Sequence, residues 1–345
     1  MGISQTQALD MLRSDDLLGI GREADAVRRR LHPGDVVTYQ IDRNINYTNF
    51  CTEYCSFCAF YRPMGSPEGY IQPLDSIFQK IDETLALSGT GVLMQGGLHP
   101  GLKIDYYEDL LSSIKRRYPQ LHLHCFSAPE VLNIAEVSGL SLRDTIARLM
   151  DAGLDSIPGG GAEILDDEVR QRIARLKCTT DEWLAVHRTA HGLGLRTTAT
   201  MMFGCGETLA HRVNHFARVR QLQEETGGFT AFIPWVFQRA NTSLGNFIKE
   251  EATAIDYLKT LAVSRLYLDN ILNVQASWLT PGFKICQIAL RFGGNDVGSI
   301  LIEENVVRAA GVTRTSNEEQ LRHLIRNAGF RPVKRDTLYR TYFLN

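Results

Sequence analysis

Short apolar runs alternate with longer amphipathic ones along most of this chain, and that alternation constrains the fold more than any other feature. Strand-like runs fall at 37–45, 92–96, 121–127, 155–158, 196–203, 230–237, 274–278 and 297–301. Helix-like runs lie between them, among them 106–117, 142–152, 180–191, 209–225 and 254–268. A strand that returns through a helix can only pair in parallel with its predecessor. Eight such strands predict an α/β fold, a (β/α)8 barrel of the TIM type. An open doubly wound sheet is the alternative, but it usually has fewer strands. Before the barrel, Leu17, Leu18, Ala24, Val27 and Leu31 carry an intermittent helical stripe that Pro33-Gly34 stops. The reading is a single domain: an N-terminal helical segment 1–34, a barrel at about 36–311, and a C-terminal extension 312–345. The extension begins with a helix at 318–327 and ends in an extended tail.

A chain of 345 residues that is 44% hydrophobic can bury a core of barrel size. The net charge of −2 offers no basic excess for nucleic acid. No apolar run reaches the roughly 18 residues that a membrane span needs. The 7 cysteines are odd in number, and three crowd into one short stretch. That pattern suits thiolates on a metal in a reducing compartment better than a disulfide framework, so the expected location is cytoplasmic. The N-terminus lacks the pattern of a secretory signal. Met1-Gly2-Ile3-Ser4-Gln5-Thr6 fits an N-myristoylation pattern, while Ser4 and Gln7 also read as the capping box of a first helix.

Strand parity says where a ligand would sit. Side chains alternate between the two faces of a strand, and the outer face of a barrel strand must meet apolar helices. In 121–127, His122 and His124 oppose Leu121, Leu123 and Cys125. In 273–278, Asn273, Gln275 and Ser277 oppose Val274, Ala276 and Trp278. In 91–97, Leu93, Gln95 and Gly97 oppose Val92 and Met94. The polar sets are expected to face the lumen, as a ligand chamber or as hydrogen-bonded structural groups.

Cys51-Thr-Glu-Tyr-Cys55-Ser-Phe-Cys58 follows the first strand, at the C-terminal mouth where barrel active sites lie. Three thiolates can ligate three irons of a 4Fe–4S cluster and leave the fourth iron open to an outside ligand. Zinc is the alternative, with His99 completing a Cys3His set, and its functional form is a non-catalytic scaffold. Cys125, Cys178 and Cys286 read as packing residues. The helical pairs His187/His191 and His211/His215 lack the glutamate of a zinc protease motif and read as solvated helix faces.

The cysteine motif on eight strands resembles the radical S-adenosylmethionine (SAM) superfamily. The flanking segments narrow the resemblance: 44–49 (NINYTN), 58–62 (CAFYR), 94–100 (MQGGLHP), 156–163 (SIPGGGAE) and 198–204 (TATMMFG). Together they resemble the dehypoxanthine futalosine cyclases of the futalosine route to menaquinone, over about 36–311. The same subgroup holds aminofutalosine synthase and the F-zero synthase subunit, which remain alternatives.

The resemblance implies a 4Fe–4S cluster on Cys51, Cys55 and Cys58, with SAM on its open iron. It implies SAM contacts from Phe57, Gln95, Gly96, Gly97, Glu163, Met202 and Glu207. Glycines at 96 and 97 would let backbone approach that ligand. Relatives usually carry a histidine where this chain has Cys205, although the Gly204-x-x-Glu207 spacing survives. The implied reaction uses a 5′-deoxyadenosyl radical to take the ribose 4-prime hydrogen of dehypoxanthine futalosine. The ribosyl radical then closes on the aromatic ring, and loss of an electron and a proton leaves a spirocyclic product. His124, Glu163 and His99 are candidates for the proton acceptor, and Arg62 and Arg239 for the substrate carboxylate. The implied partners are that small-molecule substrate and an electron donor such as flavodoxin or ferredoxin.

Overall fold

The computed structural model describes residues 2–343. Its strands are β1 (Val36–Gln40), β2 (Asp42–Ile45), β3 (Gly91–Met94), β4 (His122–Cys125), β5 (Ser156–Ile157), β6 (Arg196–Phe203), β7 (Phe229–Val236), β8 (Asn273–Val274), β9 (Asp296–Ser299), β10 (Arg331–Arg335) and β11 (Tyr342–Phe343). Strands β2 to β8 pair in parallel in sequence order. A bridge from Gln275 to Asp296 carries the line from β8 to β9, and β9 pairs in parallel with β1. Only Ile41 parts β1 from β2, so the sheet closes on itself as a barrel. A strand stands at each of the eight places where the sequence predicts one.

The helices between strands begin where the sequence supplies caps. Ser127-Ala-Pro-Glu130 forms a capping box that starts the helix Ala128–Ser138. Thr179 with Glu182, and Thr253 with Asp256, do the same for the helices Thr180–Gly192 and Ala254–Tyr267. Each box satisfies two N–H groups that the first turn would otherwise leave without partners. The expected box of Ser4 and Gln7 is present, and the Ile3 N–H bonds the Leu266 carbonyl at 3.4 Å, which lays the first helix on the barrel. Met1 of the acylation pattern lies outside the described residues.

The extended tail has a defined place. β3 pairs with β2 from Asp42 onward, which leaves that edge of β1 free. β10 pairs in parallel along it, Val36 opposite Arg331 through Tyr39 opposite Lys334, and β11 covers β10 from outside. An unpaired strand edge exposes backbone donors and acceptors, and β10 satisfies them. The same placement sends Arg335 to the floor of the barrel.

Two histidines depart from the expectation of solvated helix faces. His187 and His215 are fully buried. The His187 ring lies 3.9 Å from that of Trp183, and His215 Nδ1 accepts the Leu165 N–H at 3.0 Å. The spacing of four put one histidine of each pair on the core face, the face already marked by Trp183, Val186 and Ala190 on one helix and by Phe216 and Val219 on the other. Burial lowers both imidazoles, His215 to about 3, so the neutral ring is the buried form.

Candidate active site

A cavity of about 420 Å³ runs down the barrel from the loop that follows β2 to the C-terminal segment. Cavities of this size hold small organic ligands. Cys51, Cys55 and Cys58 line its mouth, and Gln40, Arg335, Thr337 and Tyr339 line its floor. Leu93, Gln95, Gly97, His124, Gln275 and Ser277 line it, as strand parity predicts, whereas His122 and Asn273 of the same sets bond Ser156 and Asn295 instead.

The cysteine loop is fixed by backbone bonds. The Cys51 N–H bonds the Arg62 carbonyl at 3.0 Å, and the Cys58 N–H bonds the Cys55 carbonyl at 3.1 Å. Ser56 docks the loop tip, its N–H donating to the Ile173 carbonyl and its carbonyl accepting from the Leu244 N–H. All three thiols are free. Burial pushes Cys55 up to about 12 and raises Cys51. Buried thiols that resist ionisation need a cationic centre to become thiolates.

A structural zinc takes four ligands, and the fourth one expected here, His99, packs against Phe50 with its Nδ1 on the Gly101 N–H and does not line the cavity. Three cysteines on one loop fit an iron–sulfur cube with one iron left without a protein thiolate.

The glycines that line the mouth also answer to the protein's own packing. A Cβ on Gly96 would come 2.7 Å from the Tyr47 ring, and one on Gly97 would strike the Phe50 carbonyl. They let the end of β3 close against the chain entering the cysteine loop, so the near neighbour is protein backbone and ring. Glu130 fixes this corner. Its Oε1 accepts from the Gly96 N–H at 2.8 Å and from the Tyr47 hydroxyl at 2.8 Å, and its Oε2 accepts from the Ser127 N–H at 2.7 Å. Burial raises its carboxyl against these bonds.

Glu163 stands with a positive φ of 42° after β5 and lines the cavity. Its Oε1 accepts from Lys177 Nζ at 2.6 Å, and that ammonium lies 5.2 Å from the Phe57 ring centroid. Burial opposes the Lys177 charge, but Glu163 and Cys55 carry it above its ordinary value. Gln95 and Phe57 also line the mouth.

The other residues singled out from the sequence lie off the cavity wall. Met202 is buried, and its N–H bonds the Glu163 carbonyl at 2.9 Å. Glu207 accepts from the Gly204 and Cys205 N–H groups and from Arg212 Nε at 2.8 Å, so it holds its own loop. Cys205 is buried with Sγ 3.4 Å from Glu207 Oε2. His99 packs edge-on against Phe50, and its Nδ1 accepts the Gly101 N–H at 3.0 Å. Arg62 is neither a cavity cation nor a free surface group, because it clasps the carbonyls of Ala59, Phe60 and Tyr61. Arg239 donates to the Gly245 carbonyl beside a separate cleft.

The floor is a polar network that the sequence did not reveal. Arg335 Nε and Nη2 donate to the two oxygens of the buried Asp296, at 2.6 and 2.9 Å, and Nη1 donates to Gln40. Ser156 Oγ sits 2.7 Å from His122 Nε2 and 2.6 Å from His124 Nδ1. Burial, with the charge of neighbouring groups, lowers His124 to about 3. Of the residues that sequence reading missed, only Glu130 carried a local signal, the Ser-x-x-Glu of its capping box. Lys177 and Arg335 reach the cavity, and Ser156 reaches His124 behind its wall, through pairings that no local pattern encodes.

Residues 45–219 match the Radical SAM superfamily, and residues 226–344 match the CofH/MqnC C-terminal region. The chain belongs to the radical SAM superfamily. Within it, the chain is 48% identical to a cyclic dehypoxanthine futalosine synthase of Halalkalibacterium halodurans, over 98% of this chain and 90% of that one. A synthase of the same description in Streptomyces coelicolor is 44% identical, over 98% and 85%. A 5-amino-6-(D-ribitylamino)uracil–L-tyrosine 4-hydroxyphenyl transferase of Methanococcoides burtonii is 42% identical, over 92% and 90%. Methylornithine synthase shares the fold at a TM-score of 0.74 and 18% identity, covering 96% of this chain and 94% of its own. Members of this superfamily work with a 4Fe–4S cluster and SAM, and the three-thiol mouth is where this chain would hold them.

Proposed function

We propose that this chain converts dehypoxanthine futalosine to cyclic dehypoxanthine futalosine by radical chemistry, in menaquinone biosynthesis. One observation supports this reading most: among the described residues, three free thiols with no fourth cysteine beside them stand at the mouth of a barrel cavity whose largely apolar wall carries a few polar groups. Identity of 48% and 44% to two cyclic dehypoxanthine futalosine synthases, over nearly the whole chain, favours that substrate. When bound, the cluster and SAM supply a 5′-deoxyadenosyl radical by one-electron cleavage.

The protein's own part is to position, enclose and take a proton. The barrel wall holds the ribose hydrogen toward the mouth, which is worth orders of magnitude in rate. Apolar wall residues Ile233, Trp235, Leu279 and Leu301 keep water and stray hydrogen donors from the reacting carbons. His124 is our candidate for the proton acceptor. It lines the cavity, its Nδ1 is held by Ser156, and burial keeps it neutral. Its low basicity suffices, because a ring that has lost an electron and still carries the extra proton is a strong acid. Glu163 is engaged by Lys177 and serves the SAM end. Phe57, Gln95, Gly96 and Gly97 shape that same end, and Met202 and Glu207 support it from behind.

Three thiols that must stay reduced suit the cytoplasm, with a flavodoxin or ferredoxin as electron donor. Among the described residues, no helix is long and apolar enough to cross a membrane. The test is incubation of the anaerobically reconstituted protein with SAM, a strong reductant and each candidate substrate. Dehypoxanthine futalosine should give a product two hydrogens lighter. Turnover of 5-amino-6-(D-ribitylamino)uracil with L-tyrosine, or of the aminofutalosine precursor, and none of dehypoxanthine futalosine would overturn the reading.

A further inference from the structure

Among the described residues, Asp42 is the one carboxylate on the cavity floor with an oxygen left over. It opens β2, it is 7% exposed, and it lines the cavity. Gln40 Nε2 donates to its Oδ2, and the Asp42 N–H donates to the Ser299 hydroxyl oxygen at 3.3 Å. Its Oδ1 has no hydrogen-bond partner and almost no accessible surface, so a ligand hydroxyl reaches it through a small turn of the carboxyl toward the cavity that Asp42 lines. A buried acceptor without a partner costs about 1–3 kcal/mol, more when charged, so such a group is rare unless a ligand completes it.

The neighbouring cation does not complete it. Arg335 spends Nε and Nη2 on Asp296 and Nη1 on Gln40 and the Asp336 carbonyl. The other titratable groups near the floor are His122 and His124, both bound to Ser156, and Tyr339. Among the described residues, the floor therefore offers a ligand an acceptor and no spare cation. A carboxylate end would be repelled there, and a hydroxyl would be received.

Depth supports the same assignment. β2 rises from Asp42 to Ile45 toward the cysteine loop, at about 3.3 Å per residue. Asp42 thus sits on the order of 10 Å below the mouth, within the reach of a ligand whose sugar carbon lies against the radical source. Asn44, two residues higher on the same face, is already committed, with Nδ2 donating to Glu304 at 2.9 Å.

We infer that Asp42 is a substrate-binding residue whose Oδ1 accepts a hydrogen bond from a hydroxyl of the substrate's sugar ring. That bond would fix the ring's height and face in the barrel, and so choose which carbon presents its hydrogen. The inference rests on the proposed cyclase reading. It goes beyond it by naming the contact that sets regiochemistry.

The test compares wild type with D42N on dehypoxanthine futalosine and on analogues lacking the 2-prime or the 3-prime hydroxyl. Asparagine keeps the volume. Its oxygen can still take the Gln40 donor, which turns an NH2 donor toward the position of Oδ1. The expected result is an iron content and cluster absorbance like wild type, a KM raised about 10- to 100-fold, and less product per 5′-deoxyadenosine formed. One deoxy analogue should cost wild type a similar factor and cost D42N little more. A merely structural role would lower all substrates alike and leave the coupling ratio unmoved. Equal KM and coupling in D42N, or an equal further loss on both analogues, would overturn the inference. If D42N takes up no cluster, Asp42→Ser repeats the comparison with a smaller polar side chain. Wild type that ignores dehypoxanthine futalosine altogether would sink the cyclase reading instead, and the two failures are distinguishable.

Discussion

The mouth and the floor of the cavity are built on opposite plans. At the mouth, Cys51, Cys55 and Cys58 come from one loop, and Gly96-Gly97 from the next strand end. At the floor, Arg335, Asp296, Gln40, Ser156 and His124 come from five separate strands. The mouth carries groups whose useful state needs something bound, since its buried thiols resist ionisation. The floor is largely satisfied by protein alone, through an Arg–Asp pair and two imidazoles on one hydroxyl. The contrast teaches that reagent chemistry is concentrated in a short local motif, while the shape of the chamber is a property of the closed barrel.

Substitution at each end should separate the two plans. Cys55→Ser at the mouth should abolish SAM cleavage, at least a thousandfold in 5′-deoxyadenosine yield, and lower bound iron. The unfolding midpoint of the metal-free chain should move little. Retained cleavage would mean that the mouth is not where the cluster sits.

Arg335→Met at the floor should do the reverse. It strands the fully buried Asp296, and breaking a buried pair costs about 3–5 kcal/mol. Urea unfolding of the variant should show that loss while iron uptake per folded chain stays near wild type. An unchanged midpoint would make the floor pair dispensable and erase the contrast.

Gly96→Ala tests whether the mouth also depends on close backbone packing. The added methyl meets the Tyr47 ring, and overpacking of this kind costs about 1–3 kcal/mol. Thermal unfolding should show the loss. No loss would return the glycine to a role toward ligand alone.

The smallest effect is one of pH. His124 is held near 3 by burial and neighbouring charge, below the 6.5 of an unfolded chain. The unfolded state therefore binds the proton first. Stability from this group is complete above about pH 6.5 and falls as pH drops toward 3, by about 1.4 kcal/mol per unit. Unfolding free energies at pH 6.5 and 5.5 should differ by about 1 kcal/mol more in wild type than in His124→Asn, because the unfolded imidazole is already half protonated at 6.5. Equal slopes would place the imidazole in contact with water.

The same contrast explains what could be read from the sequence. The eight strands were legible because short apolar runs alternate with longer amphipathic ones, and the polar sets of 91–97, 121–127 and 273–278 because their side chains alternate in type. The three thiols were legible because they share one loop. Lys177 was not, because nothing in its local pattern tells that it reaches back to Glu163. Arg335 was not, because its role exists only once β10 has paired with β1. The buried His187 and His215 were misjudged because spacing of four was weighed as a metal pattern, while the apolar residues beside them marked the core face.

The most direct measurement uses dehypoxanthine futalosine carrying deuterium at the ribose 4-prime carbon. Reduced, reconstituted protein with SAM should yield 5′-deoxyadenosine one deuterium heavier, in step with a cyclised product that has lost the label. Unlabelled 5′-deoxyadenosine together with substrate that keeps its deuterium would contradict the account.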